Sequence, residues 1–164
     1  MIRPAQGGWL PPRSIAVAAL AAAVIAVPAQ ARRETAPKLY TEQQAQDGQA
    51  IYVGACASCH GDKLQGNSAP ASGGKALLHK AQKLGWSVSD MRTLVVTSMP
   101  LNDPGSLSAK QYAQVLAFLL ASDCYPAGNT PFPTKDTAKL KHTPLEQPAN
   151  AQPSDADLGT CSVQ

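Results

Sequence analysis

Apolar residues recur at helical spacing in several stretches of this chain, and no stretch alternates between apolar and polar residues as an amphipathic strand does. The clearest stretch is 109–122, which follows Ser108, a residue suited to cap a helix N-terminus. Its apolar stripe, broadened by Phe118, consists of Tyr112, Val115, Leu116 and Leu119. The pattern predicts an amphipathic helix here.

A second helix is predicted from about Glu42 to Gly54. Thr41 and Gln44 have the spacing of a capping box, in which Thr41 caps the helix and Gln44 reaches back to the cap. Gly48 and Tyr52 lie four residues apart, hence on one face of the helix. A glycine there lets another helix approach closely, and the helix described first is the natural partner.

Two shorter helices are predicted over 74–84 and 88–97. Ser87 or Ser89 can cap the second of them. That helix must end before Pro100, because the residue that precedes a proline avoids helical geometry. The sequence therefore predicts an all-α fold with three to five helices.

Beyond Tyr125 the composition changes. Apolar residues become sparse, and six prolines break any regular element, namely Pro126, Pro131, Pro133, Pro144, Pro148 and Pro153. We interpret 129–164 as an extended Pro-rich tail that lies over the domain surface or is partly disordered, except where Cys161 fixes it.

Residues 1–31 have the layout of a secretory signal peptide. Two arginines precede the 13-residue apolar run 15–27, and a small-residue cleavage pattern ends at Ala31. The run is shorter than the roughly 20 residues that cross a bilayer as a helix. The sequence predicts export to the periplasm, cleavage near Ala31 and a short linker over 32–39. An uncleaved membrane anchor is the alternative.

Charge and size narrow the choice of function. The chain has 14 Lys and Arg residues against 11 Asp and Glu, and two of the arginines lie in the predicted signal. The exported part is therefore close to neutral and lacks the clustered basic face of a nucleic-acid-binding domain. It is long enough for one small domain, whose modest core a bound apolar cofactor would enlarge.

The stretch Cys56-Ala57-Ser58-Cys59-His60 has the pattern of a covalent haem attachment site. Two thiols three positions apart can add to the two vinyl groups of one haem, and the histidine that follows is placed to ligate the iron. CxxC pairs also form zinc and redox sites. The predicted export signal favours one covalently attached haem c, because haem is attached to such motifs on the outer face of bacterial membranes.

A second axial ligand decides whether such a haem transfers electrons or binds small molecules. Met99 is the predicted ligand, because it lies in a loop between a helix end and a proline, where a flexible thioether can cover the open haem face. Met91 lies on the apolar stripe of its helix and is predicted to pack in the core. His79 and His142 are the alternative ligands and are otherwise surface residues.

Two further residues are predicted to touch the haem or its ligand. The backbone carbonyl of Pro70 is the predicted acceptor for the second ring N–H of His60, and a loop-stiffening role is the alternative for this proline. Trp86 is predicted at the haem edge with its indole N–H towards a propionate, and ordinary core packing is the alternative.

Cys124 and Cys161 remain once the haem motif is assigned. In an oxidising periplasm two remaining thiols most simply form a disulfide, which would tie the end of the last helix to the tail. Two free thiols or an intermolecular link are the alternatives.

Together these features resemble class I cytochromes c over about residues 40–128. The resemblance is carried by Cys56-x-x-Cys59-His60-Gly61, the Ala69-Pro70 loop, Trp86, Met99-Pro100 and the 112–120 helix. It implies a helical fold around one covalent haem, with N- and C-terminal helices that cross near the haem edge. Stretches 99–108 and 122–128 further resemble cytochrome subunits of quinoprotein alcohol dehydrogenases, a pattern from which Cys124 and the long tail depart.

The resulting prediction is a periplasmic monohaem cytochrome, not itself an enzyme, that carries single electrons between a dehydrogenase and an acceptor such as a terminal oxidase. Its expected partners are redox proteins, with no nucleic acid and no membrane span after signal cleavage. One alternative is a fixed subunit of a larger alcohol- or sulfur-compound-oxidising complex, with the chain from Tyr125 onwards as a docking arm. Another is a haem enzyme or gas sensor with an open iron site.

Overall fold

Six α-helices and their connecting loops make up the part of the chain that the computed structural model describes, residues 36–148 and residue 161. In chain order they are α1 (Glu42–Ala55), α2 (Ala57–His60), α3 (Gly74–Leu84), α4 (Val88–Ser98), α5 (Ala109–Ser122) and α6 (Ala138–Lys141). The predicted all-α fold is confirmed, and α1, α3, α4 and α5 end within one residue of their predicted bounds. None of these helices is long and apolar enough to span a membrane. The predicted signal peptide over 1–31 lies outside the described residues.

Side-chain caps fix where three of the longer helices begin. In α4, the Ser87 side chain accepts from the Asp90 N–H, and the Asp90 carboxylate accepts from the Ser87 N–H in return. Ser108 and Gln111 form the same reciprocal pair at the start of α5. The first N–H of α3, that of Gly74, donates to the carboxyl group of Asp123 at 2.5 Å, a residue far along the chain.

The capping box predicted for α1 is only half formed. Thr41 Oγ1 accepts from the backbone N–H of Gln44 at 3.3 Å. The Gln44 side chain, however, turns to the C-terminal segment, where its Nε2 donates to the Phe132 carbonyl at 3.0 Å and its Oε1 accepts from the Phe132 N–H at 2.6 Å. The backbone of Phe132 thus satisfies both the nitrogen and the oxygen of the Gln44 carboxamide. The N–H of Thr41 at the cap would satisfy only the oxygen. The prediction that Gln44 reaches back is wrong.

Helices α1 and α5 cross at a point where no side chain fits between them. A Cβ on Gly48 would overlap the backbone carbonyl of Gln114. One turn further along α1, the Tyr52 ring packs against Phe118, with ring centroids 5.2 Å apart. The Tyr52 hydroxyl donates to the carbonyl of Gly61 at 2.9 Å, which links this crossing to the loop after α2.

The Gly48→Ala variant is expected to lower the free energy of unfolding by about 3 kcal/mol, because the added methyl meets a backbone atom that cannot rotate away. Ala50→Gly, at an exposed position of α1, is the control, since it loses only helix propensity, about 1 kcal/mol. Denaturant unfolding followed by helical circular dichroism measures both losses. A Gly48→Ala variant as stable as the unmodified protein would contradict the close crossing.

Helix α5 is buried along most of its length and contributes to two apolar clusters. The larger cluster includes Leu116 and Leu120 together with side chains from α3, α4 and the C-terminal segment. The smaller cluster consists of Tyr52, Leu64, Val115, Phe118 and Leu119. Different faces of α5 therefore pack in the two clusters. The smaller cluster adjoins the site described below.

The segment after α5 contributes to the core, contrary to the surface tail that its prolines predict. Phe132, Leu140 and Leu145 are at most 2% exposed and belong to the larger cluster. The N–H of Leu145 also donates to the carbonyl of Trp86 at 2.8 Å, and α6 forms a helical turn within the segment. The expectation of a surface tail over 129–164 is wrong for residues 129–148, because proline interrupts helices without keeping neighbouring apolar side chains out of a core. The rest of that predicted tail, apart from residue 161, lies outside the described residues.

A disulfide joins Cys124 to Cys161, whose Cα atoms are 5.2 Å apart. The N–H of Cys161 donates to the carbonyl of Ser122 at 2.8 Å. The disulfide and this hydrogen bond both hold residue 161 beside the end of α5.

Asp123 is a fully buried carboxyl group next to this disulfide. Its Oδ1 caps α3, and its Oδ2 has no hydrogen-bond partner among the described residues. Burial raises the pKa of Asp123 to about 8, and the hydrogen bond from the N–H of Gly74 opposes the rise. Burial thus favours the neutral carboxylic acid, which avoids an uncompensated charge in the interior.

Candidate functional site

A cavity of about 770 Å³ lies between α2, the end of α4 and the face of α5 that belongs to the smaller cluster. Its apolar wall is formed by Tyr52, Val95, Val115 and Leu119. The sulfur atoms of Cys56, Cys59 and Met99 and the imidazole of His60 belong to residues that line the same cavity. Its volume lies within the about 300–1,000 Å³ typical of pockets that hold small molecules and cofactors.

The backbone turns at Cys56, where α1 ends and α2 begins. The Cys56 N–H donates to the Tyr52 carbonyl at 2.8 Å, and the Cys56 carbonyl accepts from the N–H of His60 at 3.0 Å. One short helical turn therefore carries both thiols and the imidazole. Cys56 and Cys59 are free cysteines, half-buried and exposed respectively, and burial raises the pKa of the Cys56 thiol.

The described residues do not assemble the ligands of a structural zinc site. Such sites use four Cys or His ligands. Within residues 36–148 and residue 161, no group of three or more His, Cys, Asp or Glu side chains is placed to hold a metal ion. The residues that line the cavity include two cysteines, one histidine and one methionine, and Asp103 adds a single carboxylate.

The His60 ring is oriented by the backbone carbonyl of Pro70, with Nδ1 and the carbonyl oxygen 2.7 Å apart. A carbonyl only accepts, so Nδ1 carries the hydrogen and the lone pair of Nε2 is left for a metal. The loop reaches this position because it bonds back onto α2: the N–H of Gly66 donates to the His60 carbonyl at 2.7 Å, and the N–H of Ala69 to the Cys59 carbonyl at 3.0 Å.

Met99 enters the cavity from the end of α4. Its N–H donates to the Val95 carbonyl at 3.2 Å, and its own carbonyl accepts from the hydroxyl of Tyr112 at 2.7 Å. The peptide bond to Pro100 is cis. Both polar groups of the Met99 backbone are therefore fixed by α4 and α5, and Met99 is one of the residues that line the cavity.

The other candidate ligands lie away from this cavity. Met91 is 2% exposed and packs in the larger cluster. His79 and His142 are exposed, and neither lines the cavity. Trp86 packs against the larger cluster and lines a separate pocket beside His142, so the structure does not bring its indole to the cavity.

Sequence reasoning misses the contributions of Tyr112 and Ser72. Tyr112 fits the apolar stripe of α5, yet its hydroxyl contacts both Met99 and Gly105. Ser72 Oγ lies 2.9 Å from the Tyr52 hydroxyl at the cavity wall. Hydroxyl partners leave no spacing signal in a sequence, and the only available hint is that a buried tyrosine usually finds a hydrogen-bond partner.

The residues around the cavity fit a covalently bound haem. Two free thiols are three positions apart on one helical turn, one imidazole has its tautomer fixed, and a thioether reaches the same space between apolar walls.

Residues 43–119 match the family described as cytochrome C oxidase, cbb3-type, subunit III, which covers just under half of the chain. Comparisons with curated proteins and with solved structures found no match.

Proposed function

We propose that this chain is a periplasmic monohaem cytochrome that carries single electrons from a dehydrogenase to an acceptor such as a terminal oxidase, because residues 43–119 match the cytochrome family named above. The family implies binding of haem c and a role in electron transfer with redox partners. The periplasmic location is supported by the signal-like pattern of residues 1–31, and the single haem by the one CxxCH motif in the sequence.

The observation that carries this proposal is the convergence of four donor residues on one cavity. Cys56 and Cys59 would hold the haem covalently, and His60 and Met99 would ligate its iron. When bound, haem supplies a reversible one-electron couple between Fe(III) and Fe(II). Pro70 keeps the hydrogen of His60 on Nδ1, so that Nε2 is available to the iron. If the imidazole of His60 and the thioether of Met99 both ligate the iron, these residues would keep substrates away from the metal.

The test is whether the pigment is covalently attached. The exported protein is expected to be coloured and to keep its pigment in acidified acetone, because two thioether bonds do not dissociate. The Cys56→Ser/Cys59→Ser variant is expected to lose its pigment on the same extraction or to be colourless. The Cys124→Ser/Cys161→Ser variant is the matched control and keeps the pigment, because these cysteines lie outside the cavity. A colourless unmodified protein, or one whose pigment is extracted, would refute the proposal.

The mouth of the cavity supports brief contacts with redox partners. Leu101 is 79% exposed and Cys59 is exposed, and both line the cavity. Asp103 is the one carboxylate among the described residues that line it, and these include no lysine or arginine. A small surface of this kind suits the transient interfaces of electron-transfer encounters, which bury less than about 1,200 Å².

A second candidate function is that of a fixed subunit in a larger oxidoreductase complex. The description of the matched family, a subunit of cytochrome c oxidase, favours this alternative. Gentle purification of the native protein distinguishes the two: a fixed subunit co-purifies with other polypeptides in constant ratio, whereas a mobile carrier elutes alone.

A further inference from the structure

We propose that Tyr112 is a positioning residue for Met99: its buried hydroxyl joins the two ends of the loop 99–105 and so holds the Met99 thioether in the cavity. This inference rests on the proposed function, in which the Met99 sulfur ligates the haem iron. It concerns how the protein keeps that ligand in place.

The Tyr112 hydroxyl makes one hydrogen bond to each end of the loop. It donates to the carbonyl of Met99 at 2.7 Å and accepts from the N–H of Gly105 at 3.0 Å. Tyr112 is 5% exposed and belongs to α5, whose crossing with α1 fixes its backbone. The Tyr112 side chain therefore holds the two ends of the loop together.

The loop has few other contacts that could hold it. Residues 101–106 are exposed, and their own hydrogen bonds are local turns: the Asp103 N–H donates to the Pro100 carbonyl at 3.0 Å, and the Ser106 N–H to the Asp103 carbonyl at 3.2 Å. Within the described part of the chain, the loop reaches α5 by hydrogen bonds only through Tyr112. An exposed loop with few buried contacts opens locally at low free-energy cost.

A methionine ligand depends on such support. Its side chain has three rotatable bonds, and an unrestrained thioether has many arrangements in which it does not face the metal. Fixing the Met99 carbonyl fixes the point from which the side chain starts, which reduces that freedom. Loss of the hydroxyl should therefore raise the fraction of molecules in which the sixth position is open.

Tyr112→Phe in the haem-loaded protein tests this directly, because it removes the hydroxyl and keeps the ring. We expect the ferrous protein to bind carbon monoxide about tenfold faster, since two hydrogen bonds no longer oppose loop opening. We also expect the long-wavelength absorption band of the methionine–Fe(III) bond to weaken.

Tyr125→Phe is the matched control. The Tyr125 hydroxyl likewise donates to a carbonyl, that of Pro144 at 2.9 Å, and accepts from an N–H, that of Glu146 at 3.1 Å, but Tyr125 does not line the cavity. Both variants should lose comparable thermal stability, and only Tyr112→Phe should change carbon monoxide binding and the absorption band. Equal carbon monoxide rates in the two variants, or an unchanged band in Tyr112→Phe, would overturn the positioning role.

A Met99→Leu variant measured in parallel separates two claims, that Met99 is the iron ligand and that Tyr112 positions it. If Met99→Leu alters the band and the carbon monoxide rate but Tyr112→Phe does not, the ligand assignment stands and the positioning role falls. If Met99→Leu leaves both readouts unchanged, Met99 is not the ligand, and the inference about Tyr112 falls with that assignment while the covalent attachment at Cys56 and Cys59 is judged by the extraction test.

Discussion

Met99→Leu is expected to lower the reduction potential by on the order of 0.1 V or more, within the about 0.8 V range that axial ligands cover. Leucine keeps the volume of methionine but has no sulfur to donate to the metal. A thioether favours ferrous iron, so its loss favours the ferric state. Loss of this ligand should also make the ferrous protein reactive with carbon monoxide. Redox titration and carbon monoxide difference spectra measure the two effects.

Met91→Leu provides the control for this substitution. It makes the same change of side chain, but Met91 is 2% exposed, packs in the larger cluster and does not line the cavity. The potential and carbon monoxide behaviour of this variant should match those of the unmodified protein. A Met99→Leu protein that also matches the unmodified protein would exclude Met99 as the ligand. If both ferrous proteins also bind carbon monoxide, an open-site haem protein such as a gas sensor is favoured.

Removal of the Cys124–Cys161 disulfide is expected to lower the free energy of unfolding by about 4 kcal/mol, because the cysteines are 37 positions apart and the cross-link restricts a long loop of the unfolded chain. Denaturant unfolding of Cys124→Ser/Cys161→Ser under non-reducing conditions measures the loss. The pigment should remain attached, since neither cysteine lines the cavity.

Chemical reduction of the unmodified protein is the companion measurement. Reduced protein and the double-serine variant should unfold at the same denaturant concentration, because both lack the cross-link. Reduction without any loss of stability would mean that the disulfide does not constrain the chain in solution.

Local signals account for the parts of the fold that were predicted well. Ser87 and Ser108 are polar caps directly before apolar periodic stretches, and both helices begin where those caps predict. Gly48 and Tyr52 predict a close contact with another helix, because their four-residue spacing places them on one face of any α-helix. The cysteines and histidine of the haem motif fall on one turn for the same reason, since their positions relative to each other are set within five residues.

Long-range partners account for what was missed. The Gln44 side chain could bond either to the N-cap of α1 or to the backbone of Phe132. It bonds to Phe132, because that backbone satisfies both its amide nitrogen and its oxygen. Tyr112 behaves in the same way towards Met99 and Gly105. Trp86 is a residue type that often contacts cofactors, but here it lies beside the C-terminal segment. The prolines of that segment predict a surface tail, so its packing against Trp86 could not be predicted.

The unit that folds together extends beyond the segment that family similarity marks out. The larger cluster joins α5 to Phe132, Leu140 and Leu145, all beyond the matched residues 43–119. A fragment cut at the family boundary would leave apolar side chains of α5 facing water, and exposed apolar patches promote self-association. Anyone who excises this domain for fusion to another protein should therefore retain the chain through Cys161, because the segment after α5 shares the buried core and Cys161 forms the disulfide with Cys124.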